Sequence, residues 1–324
     1  MIEAAGMQGK AEVVDHVFAW QTDFDFPWME GWAKNLKAPA ERNIVMMIPG
    51  NRRDQAVIMG DHYDTAYMED CYYEESGGDH LRAAAAGADH NHSATTALLL
   101  AAERLLALAG AGKLERDVWL VHLTGEEFPA DCLGARALCQ ALVERRLAFT
   151  AEDGSRRDVS QVDVVAAFVL DMVGHNADRD RDVFQIATGE GAGSARLGLR
   201  AHRANLAWNA LVTEWNHAAE RKGAGRAQRM PAAARQPPPP FAHLALHGEI
   251  RVEWEPRSAL YNPDGQIFSD IGIPVVLFME NYDISRKGYH DTHDTMENID
   301  LDYCAALTAI AIETVADTAC AERV

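Results

Sequence analysis

The chain has 324 residues, and its 30 lysines and arginines against 49 aspartates and glutamates give a net charge of −19. This acidic balance argues against nucleic acid or an anionic membrane as the main partner, because both are bound through positively charged surfaces. With 48% apolar residues the chain can bury a large core, which excludes a wholly disordered protein.

Cysteine content and the first residues bear on the cellular compartment. The five cysteines lack C-x-x-C spacing, which favours free thiols in a reducing compartment over a disulfide framework. No apolar run reaches the roughly 18 to 20 residues needed to span a bilayer, and the N-terminus lacks the charged-then-apolar order of a signal peptide. The sequence as given predicts a cytoplasmic protein with no membrane partner. A signal further upstream would not be visible in it, and a homo-oligomer is left open.

Short apolar runs alternate with longer stretches of helical periodicity. In chain order they predict strand Asn43–Pro49, strand Ala56–Gly60, helix Ser93–Leu108, strand Asp117–Thr124, helix Cys132–Arg146, strand Val164–Asp171, helix Ala195–Lys222, strand Pro274–Met279 and helix Leu301–Thr318. The first two strands flank a polar turn and are expected to form a hairpin. The alternation predicts an α/β fold with a mostly parallel mixed sheet sandwiched by helices.

One segment departs from this alternation. Between Arg196 and Arg235 eight lysines or arginines stand against two glutamates, and four prolines at 237–240 favour extended backbone. A solvated helix face and loop is the simpler interpretation, and a lid over a binding site is the functional one. We expect a single domain over residues 1–324 with an inserted, lid-like segment at about 195–256.

Five short motifs carry side chains suited to chemistry. In chain order they are H-x-D at 62–64, GADHNHS at 87–93, TGEE at 124–127, LDM at 170–172 and YHDTHDT at 289–295. Each one alone has an ordinary structural explanation, such as a solvated polar residue or a helix cap. All five, however, follow predicted strands or lie in adjoining loops. The carboxyl ends of parallel strands are where α/β sheets bind ligands.

The residue types in these motifs suit a metal ion. Imidazole nitrogens and carboxylate oxygens without cysteine form a donor set for Zn²⁺, with Co²⁺ or Mn²⁺ as alternatives. His62 and Asp64 can point to the same side of extended backbone, and a carboxylate on the second ring nitrogen favours metal binding by a histidine. A carboxylate such as Asp89 can bridge two ions, and such a pair clamps the attacking and leaving oxygens of a hydrolysis.

The order of the motifs resembles that of metallopeptidase family 28, the zinc exopeptidases that include bacterial leucyl aminopeptidases. The similarity extends over roughly residues 43–312 and includes the segment DGQIFSDIGIP at 264–274. It implies an aminopeptidase with two zinc ions per chain, which releases N-terminal residues from peptide substrates. It also implies Glu126 as the general base for a water that bridges the two ions.

The resemblance implies further roles for individual residues. The implied metal ligands are Asp89 as the bridge, His62 and Asp171 on one zinc, and Glu127 and His290 on the other. Asp64 would orient His62, and Tyr261 would donate a hydrogen bond to the oxyanion.

This chain also departs from the family pattern. The family usually has a second aspartate where this chain has His90, a small residue at His92 and a glycine at Ala94, and we expect these changes to tune the surroundings of the ligands. Alternatives with the same fold are a glutaminyl-cyclase-like acyltransferase with one zinc and a carboxypeptidase for acidic substrates. A non-catalytic binding module is the alternative of another class, disfavoured by the intact Glu126 and the unbroken ligand set.

Overall fold

A computed structural model of the chain describes residues 1–322 except 8–9, 20–39, 74–76, 80–82, 129, 178, 228–242, 262 and 284, and the backbone alone for 219–227. The described part contains a ten-stranded sheet. Its strands are β1 (Glu12–Ala19), β2 (Ala40–Ile48), β3 (Arg52–His62), β4 (Arg116–Leu123), β5 (Ala148–Ala151), β6 (Arg156–Asp158), β7 (Asp163–Asp171), β8 (Val183–Thr188), β9 (His247–Arg251) and β10 (Val275–Glu280). Their order across the sheet is β6-β5-β1-β2-β4-β3-β7-β10-β8-β9.

Four neighbouring strands in the middle of the sheet, β4, β3, β7 and β10, run parallel to one another. Their runs VWLV, AVIM, AAFVL and VVLFM are buried, as expected for strands covered on both faces. Strands β1, β2 and β8 pair antiparallel with their inner neighbours. The predicted α/β class with a mixed sheet is confirmed, and the parallel centre brings four carboxyl ends to one edge.

The predicted hairpin between β2 and β3 is wrong, because β4 lies between these strands. The turn that joins them is bound to the start of β4 and the residues before it. The Gly50 N–H donates to the Asp117 carboxylate over 2.8 Å, and the Asn51 N–H donates to the Leu114 carbonyl over 2.9 Å. These bonds keep β2 and β3 one strand apart, so that β4 pairs antiparallel with β2 and parallel with β3.

Helices cover both faces of the sheet. They are α1 (Glu69–Tyr72), α2 (His92–Gly110), α3 (Leu133–Val143), α4 (Gly191–Ala227), α5 (Gly265–Asp270) and α6 (Leu301–Cys320), with a 3₁₀ turn at Met296–Asn298. One core lies under α2, α4 and α6 and includes the buried Leu98, Leu197 and Ile310. The other lies under α3 and α5 and includes Leu138 and Phe268. The predicted arrangement of a sheet between helical layers is confirmed.

The predicted lid-like segment at 195–256 belongs in part to these layers. Helix α4 buries Leu197 and Ala201, and β9 extends the sheet by pairing parallel with β8. From the basic stretch, Arg200 forms an ion pair with Asp317 of α6 over 2.6 Å. These parts therefore belong to the helical layer and the sheet, and the lid-like role of the segment stays a prediction. The proline run lies in residues 228–242, outside the described residues.

Contrary to the expectation that no apolar stretch is long enough, helices α2 and α6 are long and apolar enough to cross a membrane by length and composition alone. Within their most apolar windows, 50% of α2 and 61% of α6 is buried inside the domain. The buried faces include Leu105 of α2 and Val315 of α6. Packing against the sheet thus accounts for their apolar composition.

Candidate metal centre

Four of the predicted site residues meet where the parallel strands end. His62 is the last residue of β3 and Asp171 is the last residue of β7, and these two strands are direct neighbours. Glu126 and Glu127 follow the end of β4, on the other side of β3. The four side chains are exposed by only 1% to 10%, so the strand ends and the surrounding packing fix their positions.

His90 lies in the middle of this group. It comes from the loop directly before α2, and its Nδ1 is 3.1 Å from His290 Nε2 and 3.5 Å from Glu127 Oε1. Its Nε2 is 3.3 Å from Asp171 Oδ1, which in turn is 3.5 Å from His62 Nε2. His90 therefore separates the centre into two halves, one with Glu127 and His290 and one with His62 and Asp171.

The donor atoms of this centre lack the partners that buried polar groups normally have. Four of them are buried without a hydrogen-bond partner among the described residues: His62 Nε2, His90 Nε2, Glu127 Oε1 and Asp171 Oδ1. Each such atom costs about 1–3 kcal/mol when it stays unpaired. Atoms of His62, His90, Glu126 and Glu127 also lie within 4.8 Å of one another. The residues present fit a metal ion with nitrogen and oxygen ligands.

Asp89 does not join this centre, so the prediction that its carboxylate bridges two metal ions is wrong. The residue is fully buried, and both of its oxygens have other partners. Oδ1 accepts a hydrogen bond from the Gly174 N–H over 2.8 Å, and Oδ2 accepts one from Arg286 over 2.5 Å. His90, the next residue along the loop, takes the central position instead.

The loop that carries His90 is held from two directions. The Asp294 carboxylate accepts hydrogen bonds from the N–H groups of Asp89 and His90, over 2.8 and 3.1 Å. The Asn91 side chain accepts one from the Met172 N–H over 3.0 Å, which ties the loop to the end of β7. The carboxylate of the last motif thus positions a residue of the second motif.

Asp64 organises both neighbouring strand ends. The His62 Nδ1 lies 3.0 Å from the Asp64 backbone carbonyl and 3.6 Å from its carboxylate. The same carboxylate accepts hydrogen bonds from the backbone N–H groups of Glu126 and Glu127, both over 3.1 Å. Asp64 therefore lies where the predicted orientation of His62 requires it, and it also fixes the backbone of the two glutamates.

Glu69 of α1 has a similar position beside His290. Its carboxylate lies 3.1 Å from His290 Nδ1, and its N–H donates to the His290 carbonyl over 2.8 Å. His290 has a positive φ of 51°, which is uncommon for a residue other than glycine. With Nδ1 held by Glu69, the Nε2 of His290 faces Glu127 at 3.4 Å. Glu69 is not predicted from the sequence, because nothing near it in the chain marks this contact.

The buried charges of the centre shift the pKa values of its members. Burial would lower the pKa of His62, but the negative charges of Glu126, Asp171 and Asp64 raise it well above its usual value. Burial also raises the pKa of Glu126 well above its usual value, and the adjacent Glu127 adds to this effect against the charge of His62. The centre therefore attracts positive charge, and Glu126 has a high proton affinity for a carboxylate.

Two residues that the sequence analysis did not assign lie close by. Asp264 is fully buried, and neither of its carboxylate oxygens has a hydrogen-bond partner among the described residues. Burial, with the charge of Asp64 added against that of His62, raises its pKa to about 8. Tyr289 stacks on His290 with ring centroids 3.9 Å apart. The segment around Asp264 was part of the family resemblance, whereas Tyr289 gave no signal beyond its place beside His290.

Tyr261 has a different position from the one that its predicted role requires. Its side chain is 36% exposed. Its pKa is raised by burial and by the charges of Glu190, Glu253 and Asp270, none of which belongs to the centre. The structure does not bring Tyr261 together with the predicted metal ligands, because its turn faces another group of carboxylates.

Comparison with known families shows which protein family the chain belongs to. The profile described as peptidase family M28 matches residues 43–227, more than half of the sequence. The chain belongs to peptidase family M28. This confirms the resemblance inferred from the five motifs.

Solved structures of similar fold include M28-type aminopeptidases. The LapA aminopeptidase of Legionella pneumophila has 15% identity and a TM-score of 0.56, over 98% of this chain and 61% of that one. A glutaminyl cyclase of Bacteroides thetaiotaomicron, bound to N-acetylhistamine, has 17% identity and a TM-score of 0.54, over 99% and 86%. A leucine aminopeptidase precursor from the same organism has 15% identity and a TM-score of 0.53, over 99% and 86%.

These identities show a shared fold and no more. The chain spans about three fifths of the length of LapA. No curated protein matches the sequence.

Proposed function

We propose that this M28 member is a zinc-dependent exopeptidase that removes N-terminal residues from peptides. The observation that carries the proposal is the position of Glu126. Its carboxylate lies 3.7 Å from His62 Nε2, which is one of the donor atoms without a hydrogen-bond partner among the described residues. A buried base beside a metal ion is the arrangement that metal-assisted hydrolysis of an amide bond uses. Membership of a peptidase family supports a peptide as the substrate.

Glu126 accepts the proton of the attacking water and returns it to the leaving amine. Burial raises the pKa of Glu126 well above its usual value. The raised pKa is closer to the pH at which the enzyme works, as general-base catalysis favours. The Asp64 carboxylate accepts a 3.1 Å hydrogen bond from the Glu126 backbone N–H. This bond fixes the backbone that carries the Glu126 carboxylate. Asp64 is thus a positioning residue for the base.

Zinc bound at this centre would polarise the scissile carbonyl and lower the pKa of water in the site. The residues that would hold it are His90, Glu127 and His290, with His62 and Asp171 on the other side of His90. The predicted two zinc ions per chain rested on a carboxylate bridge at Asp89. His90 lies in the central position instead, so the number of ions depends on whether a histidine can bridge two of them.

A second candidate is intramolecular acyl transfer at an N-terminal glutamine. A complete ligand set for two bridged ions, as the family resemblance implied, argues against this candidate. That argument weakens because His90 replaces the bridging carboxylate. The fold similarity to a glutaminyl cyclase over 99% of this chain supports keeping this candidate. The two reactions differ in the nucleophile, which is water for the peptidase and the substrate's own amine for the cyclase.

A panel of peptides separates the two candidates. The zinc-loaded protein is incubated with unblocked peptides of varied N-terminal residue, their N-acetylated counterparts and a peptide that begins with glutamine. Mass spectrometry identifies the products. We expect free N-terminal residues from the unblocked peptides only, and no product with the Glu126→Gln variant. Loss of ammonia from the glutamine peptide, with its chain intact, would assign the cyclase reaction instead, and an unchanged panel would reject both.

A further inference from the structure

We infer that the centre holds one tightly bound metal ion, on His90, Glu127 and His290, instead of two ions that share a bridge. The inference rests on the proposed function only in assuming a metal-dependent enzyme, and its ligands and number of ions are argued from the donor atoms. It therefore holds whether the enzyme hydrolyses or cyclises its substrate.

His90 and a carboxylate differ in their ability to bridge two metal ions. An ionised carboxylate has lone pairs on two oxygens, and paired metal ions in hydrolases lie about 3.5–4 Å apart. A neutral imidazole has one free lone pair, because its other nitrogen carries a proton. Even without that proton, the lone pairs of Nδ1 and Nε2 diverge in the plane of the ring. Two ions on His90 would thus lie too far apart to share one water.

The spacing of the donor atoms in the half with Glu127 and His290 fits a zinc ion. Glu127 Oε1, His90 Nδ1 and His290 Nε2 form a triangle with sides of 3.1, 3.4 and 3.5 Å. Tetrahedral zinc with metal–ligand distances of about 2.0–2.2 Å places its donors about 3.3–3.6 Å apart. Two histidines and one glutamate with an open fourth position are a known ligand set of catalytic zinc. Glu69 supports this choice, since its contact with Nδ1 directs the Nε2 of His290 into the triangle.

With Glu126 assigned as the base, the other half of the centre is left with two donors. His62 Nε2 and Asp171 Oδ1 lie 3.5 Å apart. When His90 binds an ion through Nδ1, its Nε2 carries the ring proton and faces Asp171 Oδ1 at 3.3 Å. Two protein ligands fall short of the three that catalytic zinc sites have. His62 and Asp171 are therefore left to contact substrate or to hold a second ion only weakly.

Metal content after desalting tests this inference without any substrate. The full chain is loaded with excess Zn²⁺, desalted and measured by elemental analysis, and Co²⁺ is titrated in parallel with the visible spectrum as readout. We expect one equivalent per chain and a single-step titration. His90→Asp, which returns a carboxylate to the central position, is expected to retain two equivalents. His92→Asp is the matched control, because that histidine is exposed, and it is expected to retain one.

Two tightly held equivalents in the unchanged chain would overturn the inference, as would equal metal content in His90→Asp and His92→Asp. If His90→Asp does not fold, His90→Gln provides the test: loss of the metal with an unchanged circular dichroism spectrum supports the inference, and full retention refutes it. One equivalent of metal together with no action on the peptide panel would reject the proposed function and leave the inference standing.

Discussion

Arg286 and Asp89 form a buried ion pair behind the candidate metal centre, with Nη2 of the arginine 2.5 Å from Oδ2 of the aspartate. Arg286 Nε also lies 3.0 Å from Glu280 Oε1. The pair joins the loop after β10, which carries His290, to the loop before α2, which carries His90. Moving the Asp89 carboxylate to a metal ion would leave the arginine with less countercharge in a dry interior, which is costly.

Replacing Arg286 tests this ion pair. The variant Arg286→Met leaves the Asp89 carboxylate buried without its countercharge, and we expect the free energy of unfolding to fall by about 3–5 kcal/mol. Urea denaturation at neutral pH measures the loss. Arg257→Met is the control, because this arginine is exposed and its ion pair with Glu249 lies at the surface; exposed pairs contribute only about 0–1 kcal/mol. Equal losses in the two variants would contradict a structural role for the buried pair.

Glu126→Gln tests the assignment of the general base. The amide keeps the size of the side chain but cannot accept the proton, and general-base assistance contributes about 10²- to 10⁴-fold to the rate. We expect kcat to fall by about that factor with the metal content unchanged. Glu127→Gln is expected to lower the metal content, because it removes a charged ligand. Turnover of Glu126→Gln within a few-fold of the parent would exclude the mechanism.

His290 and His293 are two histidines of one motif with different expected roles. His290 faces Glu127 and His90, whereas His293 is exposed. We expect His290→Ala to lose the tightly bound ion and nearly all activity, and His293→Ala to keep the metal content of the parent. Elemental analysis of both desalted variants checks this. Retention of metal by the first variant with loss from the second would reverse the assignment.

The sequence predicts the parts of the fold and the centre that local pattern encodes. The apolar runs before His62 and Asp171 place both residues correctly at strand ends. Asp89 and His90, however, are adjacent in one motif, and both residue types bind metals. Which of them faces the centre depends on Arg286, 197 residues away from Asp89. The sequence signal was the histidine in the place of the family's second aspartate, a change expected only to tune the surroundings of the ligands.

His16 provides a prediction about pH that does not involve the metal centre. Its ring is buried, its Nδ1 lies 3.2 Å from the amide nitrogen of Asn43, and burial with the charge of Arg146 lowers its pKa from 6.5 to about 4. Asn43 in turn donates to the Gly134 carbonyl, so a protonated His16 would face a donor that is already committed.

Between about pH 6.5 and pH 4 the unfolded chain therefore binds a proton at His16 that the folded chain does not. The free energy of unfolding should fall through this window as the pH falls, by up to about 3 kcal/mol from this residue, and the effect should be absent above about pH 7. Urea denaturation of the parent and of His16→Gln at pH 7.5 and pH 4.5 measures it, with His217→Gln, an exposed histidine, as the control. Between pH 7.5 and pH 4.5 the free energy of unfolding of the parent should fall more than that of His16→Gln. A difference that is the same at both pH values would show that His16 does not carry this acid sensitivity.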